Sequence, residues 1–236
     1  MLAALDHLVV GGSVAAYETL LGRRAVDGRL RTGNVGLRFE PDASGLQSMV
    51  FETQDLDKAA TLLERRAVPT TRKAEGLALL AHGVAIEVVG RADEGPSPPI
   101  ADTTSAVSGL DHVVVRTPNP ERAIAFYAGR LGLDLRLDRS NPQWGARLLF
   151  FRCGDLVVEI AHDLKKGVSD APDHLWGLSW RVPDIAAARA RLRDAGLDVS
   201  EPRDGRRPGS RVCTVKDGTE GVPTILIGGI ERWQGG

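Results

Sequence analysis

Two histidines of this chain stand in the same local sequence. Leu5-Asp6-His7-Leu8-Val9-Val10 recurs as Leu110-Asp111-His112-Val113-Val114-Val115, at a fixed offset of 105 residues. An imidazole in such a place can carry a proton near neutral pH or bind a metal. The plainer alternative is a hydrogen-bonded strand histidine, repeated because the halves share an ancestor. Glu159 is harder to read as inert. It breaks the apolar run Leu156-Val157-Val158-Glu159-Ile160-Ala161, and a carboxylate in such a run is costly unless it meets a cavity or a partner. Arg181 lies in Gly177-Leu178-Ser179-Trp180-Arg181-Val182. Strand alternation sends Leu178, Trp180 and Val182 to one face and Gly177, Ser179 and Arg181 to the other. An arginine there reads as a fork for a carboxylate or phosphate, or equally as one half of a buried Arg181–Glu159 ion pair.

The elements that would position these residues follow a repeated order. Each Leu-Asp-His hexapeptide is a short β-rich run followed by a helical stripe. Ser13 caps a helix near 14–21 carrying Val14, Tyr17 and Leu21, and Gly22 stops it. Asn119-Pro120 opens a helix near 120–131 carrying Ile124, Tyr127 and Leu131, with Gly132 as its stop. The pattern occurs a second time in each half. Ser48–Thr53 leads to a helix near 55–67 capped by Asp55, and Gly177–Val182 leads to one near 184–195 capped by Asp184. Strand-like runs follow at Leu77–Ala81, Val84–Val89, Ala146–Arg152, Leu156–Ala161, Arg211–Val215 and Thr224–Ile227. The unit is strand, helix, then two or three strands, four times over. The fold class is therefore α+β, with paired βαβββ modules in tandem. The domains are 1–90 and 109–236, and residues 91–108, rich in proline and small polar residues, read as a linker.

Four βαβββ units in two pairs resemble the vicinal oxygen chelate superfamily, which includes glyoxalase I, bleomycin-resistance proteins and extradiol dioxygenases. The resemblance is closest over Leu110–Val115, Asn119–Tyr127 with Leu131-Gly132-Leu133, and Trp180–Ala186 with Leu192–Gly196. It implies a cup of two modules around a divalent metal such as Fe, Mn, Ni, Zn or Mg, held by one residue on the first and one on the last strand of each module. Carried over residue by residue, the second half retains His112 and Glu159 but has Gly177 and the Thr224–Leu226 run at the other two positions. The first half retains His7 and Glu87, with the neighbourhood of Arg38 and Ser48 in the remaining places. Two ligands are fewer than catalytic sites usually use, so the metal site is expected to be degenerate. A third ligand could come from His174, or from Glu87 if the second module pairs with the third. The resemblance also turns Ser179 and Arg181 into the cup, lets Gly177 leave pocket volume there, and puts Trp144 and Trp176 in loops near its mouth. Both tryptophans could stack on a planar ligand or simply pack on the surface.

The implied activity is that of a small-molecule enzyme, a lyase, isomerase or oxidoreductase of the glyoxalase or dioxygenase type. His112 and Glu159 are its candidate acid and base, and the first half is a degenerate companion domain. The alternatives are a binding protein of the bleomycin-resistance kind, which holds a ligand without turnover, and a structural module with a filled cup. The expected ligand is small, and anionic or carbonyl-bearing. Among the 236 residues, 30 Lys and Arg against 31 Asp and Glu give a net charge of −1, which argues against nucleic acid as a partner. No run is long and apolar enough for a membrane span, and the opening residues make a poor signal peptide. Cys153 and Cys213 show no CxxC spacing and read as buried thiols of a cytoplasmic protein. Gly11-Gly12-Ser13 lacks the GxGxxG spacing, so no nucleotide cofactor is expected. Arg203–Gly209 reads as a solvated turn rather than a phosphate clamp, and a homodimer is left open.

Overall fold

The structure, a computed structural model, describes residues 2–91 and 102–229. The central part of the expected linker, 92–101, lies outside the described residues. The first half runs β1 (Leu2–Gly11), α1 (Val14–Leu21), β2 (Arg29–Arg31), β3 (Gly36–Glu40), β4 (Gly45–Thr53), α2 (Leu56–Arg65), β5 (Thr71–Arg72), β6 (Gly76–Ala81) and β7 (Val84–Gly90). The second runs β8 (Gly109–Arg116), α3 (Pro120–Ile124), β9 (Asp134–Asn141), β10 (Ala146–Cys153), β11 (Leu156–Asp163), β12 (His174–Arg181), α4 (Ile185–Asp194), β13 (Arg203–Asp204), β14 (Arg211–Val215) and β15 (Thr224–Gly228). The strands of each half make one mixed sheet. The orders are β2-β3-β1-β4-β7-β6-β5 and β13-β14-β15-β12-β8-β11-β10-β9. Parallel pairs β4/β7 and β12/β15 sit among antiparallel hairpins.

The helices start where side-chain oxygens meet otherwise orphaned backbone N–H groups. Ser13 accepts from Ala15 N, Asp55 from Lys58 N, Asn119 from Arg122 N, and Asp184 from Ala186 and Ala187 N. Gly22 ends α1 at φ 65°, a left-handed conformation that glycine adopts at little cost. The helix expected over 120–131 is not uniform. After Ile124 it widens into a π-helical segment, Ala125–Arg130, in which Leu131 N donates to Phe126 O. Phe126 and Tyr127 of this segment are both buried.

By packing, the described residues fall into two compact units whose boundaries cut through β1, β4, β8 and β12. One unit comprises residues 2–7, 48–91 and 113–176, and the other 8–47, 102–112 and 177–229. In the first, Met49, Phe51, Ile86, Val88, Tyr127 and Phe151 are fully buried. The β6–β7 turn, with His82 at φ 50°, packs its imidazole edge-on against Phe126 at 5.5 Å, and His82 O accepts from Asp173 N. In the second, the core holds Tyr17, Leu20, Leu21 and Trp180. Arg191 of α4 donates to the Thr19 and Leu20 carbonyls at the end of α1, satisfying groups a helix terminus leaves open. The tail of the expected linker belongs to this packing. Ala106 and Val107 are buried, and Val107 N donates to Leu21 O, so an apolar pair at the end of the proline-rich stretch anchors it. No helix among the described residues is long and apolar enough to cross a membrane.

Candidate functional site

The repeated Asp-His pairs form the same side-chain contact in both halves. Asp111 Oδ2 lies 2.8 Å from His112 Nδ1, and Asp6 Oδ2 lies 2.5 Å from His7 Nδ1. All four side chains are mostly buried. An ionised carboxylate only accepts, so Nδ1 carries a proton in both pairs. The imidazole is thereby fixed in tautomer and ring orientation. At His7, Nε2 is buried without a hydrogen-bond partner.

Asp111 is the electrostatic centre of its pair. Burial alone would raise its carboxyl pKa. The hydrogen bond from His112 and the positive charges of His112, Arg207 and Arg181 more than offset this, and the group stays below the usual range. Arg207 reaches it from the β13–β14 turn, with Nη1 3.8 Å from Asp111 Oδ1.

The other sequence candidates fall into different surroundings. Arg181 and Ser179 do share a face of β12, but both are buried. Arg181 Nε and Nη2 donate to Leu110 O at 3.1 and 2.6 Å. At 8% exposure, Arg181 is not the open anion fork the sequence reading allows. β12 is central in its sheet and buried on both faces from Gly177 to Arg181. The Ser179 hydroxyl is buried without a partner. Gly177 does not leave pocket volume either. A Cβ there would meet Pro223 O at 2.7 Å, and Leu178 N donates to that same carbonyl. The glycine is required by close backbone approach.

Glu159 sits half-buried on β11 opposite Phe150 of β10, and Glu87 half-buried on β7 between Val50 and Ala78. Ser48 is buried on β4. His174 is exposed at the start of β12. Trp176, expected in a loop, belongs to β12 and carries the Arg116 guanidinium 4.1 Å above its ring. Trp144 lies in the β9–β10 turn, with Arg139 5.1 Å from its ring. Both indoles are more than a third exposed.

Two polar groups escaped the sequence reading. His162 is buried and donates through Nδ1 to Thr117 O. Asp173 is buried with Oδ1 bonded by Thr117 Oγ at 2.7 Å and Arg122 Nη2 at 2.8 Å. Asp173 lies in a polar loop with no local pattern to mark it. His162 alternates inward from Ile160 and could have been found that way.

Imidazole and carboxylate are donors that suit the divalent ions implied by the resemblance. Among the described residues, no group of three or more His, Cys, Asp or Glu side chains is placed to hold one. The donor set among the described residues therefore does not fit a resident ion.

Compared with known families, residues 111–214 match the Glyoxalase/Bleomycin resistance protein/Dioxygenase superfamily. The matched segment begins at the Asp111–His112 pair. Residues 111–214 are a domain of that superfamily. An ethylmalonyl-CoA/methylmalonyl-CoA epimerase of Cereibacter sphaeroides is 29% identical over 109 residues, covering 42% of this chain and 81% of that protein. A lactoylglutathione lyase of Salmonella typhimurium is 25% identical over 122 residues, covering 50% of this chain and 90% of that protein. Among solved structures, the halotolerant catechol dioxygenase BphC superposes with a TM-score of 0.70 over 100% of this chain and 90% of its own, at 14% identity. The Mn(II)-bound glyoxalase of Novosphingobium aromaticivorans gives 0.70 over 98% of this chain and 83% of its own, also at 14%. The superfamily fold thus extends over both halves.

Proposed function

We propose that the superfamily domain of the second half is an enzyme that abstracts a proton next to a carbonyl of a small acyl substrate, with His112 as the base. The observation that carries this reading is the Asp111–His112 contact. It holds Nδ1–H against a carboxylate, so in the neutral ring Nε2 is the basic nitrogen, the tautomer a general base needs. The epimerase and lyase relatives direct the choice of trial substrates toward acyl thioesters and glutathione adducts. In the proposed step the substrate C–H bond breaks and the proton passes to Nε2. The bonding pair moves onto the carbonyl oxygen as an enolate. Return of a proton to carbon, delivered by water, gives the epimer or isomer.

The test is hydrogen exchange in D2O, with methylmalonyl-CoA and the methylglyoxal–glutathione hemithioacetal as trial substrates. Enzyme-dependent deuterium incorporation at the acidic carbon, lost in His112→Ala, supports the reading. Saturable binding of a trial substrate without exchange instead supports a sequestering protein of the bleomycin-resistance kind.

A further inference from the structure

The residue before the Asp111–His112 pair is held from two directions. Asn34, in the turn between β2 and β3, donates through Nδ2 to Leu110 O at 2.8 Å. Its Oδ1 accepts from Leu110 N, also at 2.8 Å. The carboxamide thus meets Leu110 as a residue of a neighbouring strand would, with one donor and one acceptor. Arg181 of β12 adds Nε and Nη2 on the same carbonyl at 3.1 and 2.6 Å. That carbonyl lies in the peptide plane that also contains the nitrogen and Cα of Asp111. Fixing its oxygen fixes the plane from which the Asp111 side chain departs.

The approach is close enough to need glycines. A Cβ on Gly109 would meet Asn34 Oδ1 at 2.7 Å, and a Cβ on Gly33 would meet Ser108 O at 2.7 Å. Gly33 N donates to that Ser108 oxygen at 3.0 Å. Ser108 in turn donates through N and Oγ to Arg181 O at 2.8 and 3.1 Å. The β2–β3 turn, the start of β8 and the end of β12 therefore share one hydrogen-bonded network. A strand carbonyl is satisfied by one donor, and a buried guanidinium is a costly one to place there. The charge of Arg181 also reaches Asp111. Burial raises the pKa of that carboxyl, and Arg181 acts with His112 and Arg207 to lower it.

We propose that Asn34 is a positioning residue for His112: together with Arg181 it holds the Leu110 peptide, and through it the Asp111 carboxylate that sets the tautomer of the His112 ring. The first half of the chain then supplies a working part of the second-half site. The inference rests on the proposed function only for what His112 does to a substrate. The geometry it concerns is that of the free protein.

Nitrogen NMR of the imidazoles tests it on the full chain without substrate. At about pH 8, above the ordinary imidazole pKa, the ring signals report which nitrogen carries the proton, and His112→Ala identifies the His112 signal. Wild type should show Nδ1–H as the dominant form. Asn34→Ala should move His112 toward Nε2–H. Gly109→Ala puts a methyl group against Asn34 Oδ1 and should move it the same way, so it decides the matter if Asn34→Ala does not fold. Asn119→Ala removes the cap of α3, a loss of about 1 kcal/mol; it should lower Tm without changing the His112 signal. In deuterium exchange of the trial substrates, Asn34→Ala should lower kcat by up to about 10²-fold, the cost of a reacting group displaced by roughly 1 Å, with KM little changed. The proposal is overturned if the folded Asn34→Ala and Gly109→Ala variants keep the wild-type His112 signal. It is also overturned if Asn119→Ala shifts that signal as much as they do, since that marks general loosening. A tautomer that depends on Asn34, in a protein that shows no exchange, upholds the positioning role and removes the acid–base reading.

Discussion

Replacing Asp111 by alanine removes the group that orients His112. The Asp111 side chain is 11% exposed and His112 17%, so solvent screens their 2.8 Å contact only weakly. A hydrogen bond involving a charged group contributes about 1.5–3 kcal/mol net. The Arg207 contact, long and one-third exposed, adds about 0–1 kcal/mol. Asp111→Ala should therefore cost about 2–3 kcal/mol. For a chain of this length that lowers Tm by roughly 5–10 °C. The pH dependence has a definite sign. The folded carboxyl lies below its ordinary value of 3.8, so its contribution is complete above that value and lost as pH falls through the folded pKa. Urea unfolding of wild type and variant should show a constant difference from about pH 7 to pH 5 that shrinks below about pH 4. A difference under about 0.5 kcal/mol at neutral pH, the level of an ordinary surface substitution, would refute the reasoning. So would a difference that grows on acidification.

Gly177→Ala forces a methyl group against Pro223 O at the start of the buried stretch of β12, and a loss of about 1–3 kcal/mol is expected in chemical denaturation. No loss, with a gain in ligand affinity, would restore the idea that the glycine makes room for a ligand. Asp173→Ala removes the buried carboxylate that accepts from Arg122 and Thr117; about 3 kcal/mol should be lost, with faster amide exchange over 169–173, where Arg122 also holds the Asp170 and Ala171 carbonyls. Tyr127→Phe removes a fully buried hydroxyl that has no hydrogen-bond partner, so its effect on Tm should be near zero or stabilising.

Much of this fold is legible in the sequence because its signals are local. Ser13, Asp55, Asn119 and Asp184 each sit where a side-chain oxygen can reach the first turn, and each starts a helix. The apolar runs around Val50, Ile86, Val158 and Trp180 all become strands. What local pattern cannot carry is the depth and direction of polar groups. The Arg181 guanidinium ends on the backbone of β8, a contact 71 residues away. Gly177 is set by a carbonyl 46 residues downstream. Trp176 belongs to a strand that starts earlier than the apolar run suggests. The π-helical segment after Ile124 has no local sign in the apolar stripe, which a regular helix would satisfy equally. In the Leu-Asp-His repeat, each histidine's Nδ1 meets the carboxylate of its own neighbour. Period-two reasoning sends Asp111 and His112 to opposite faces, so it does not foresee that contact.

The central claim is that Asp111 holds His112 as a carbon-acid base. The most direct measurement is the rate of deuterium incorporation into methylmalonyl-CoA at C2, followed by NMR in D2O. Wild type, His112→Ala and Asp111→Asn are compared at equal folded concentration. Catalysed exchange should fall by about 10²-fold or more in His112→Ala, the usual contribution of a positioned base. It should fall by a smaller factor in Asp111→Asn, where the ring remains but its charged partner is gone. Exchange that survives His112→Ala at the wild-type rate would contradict the account.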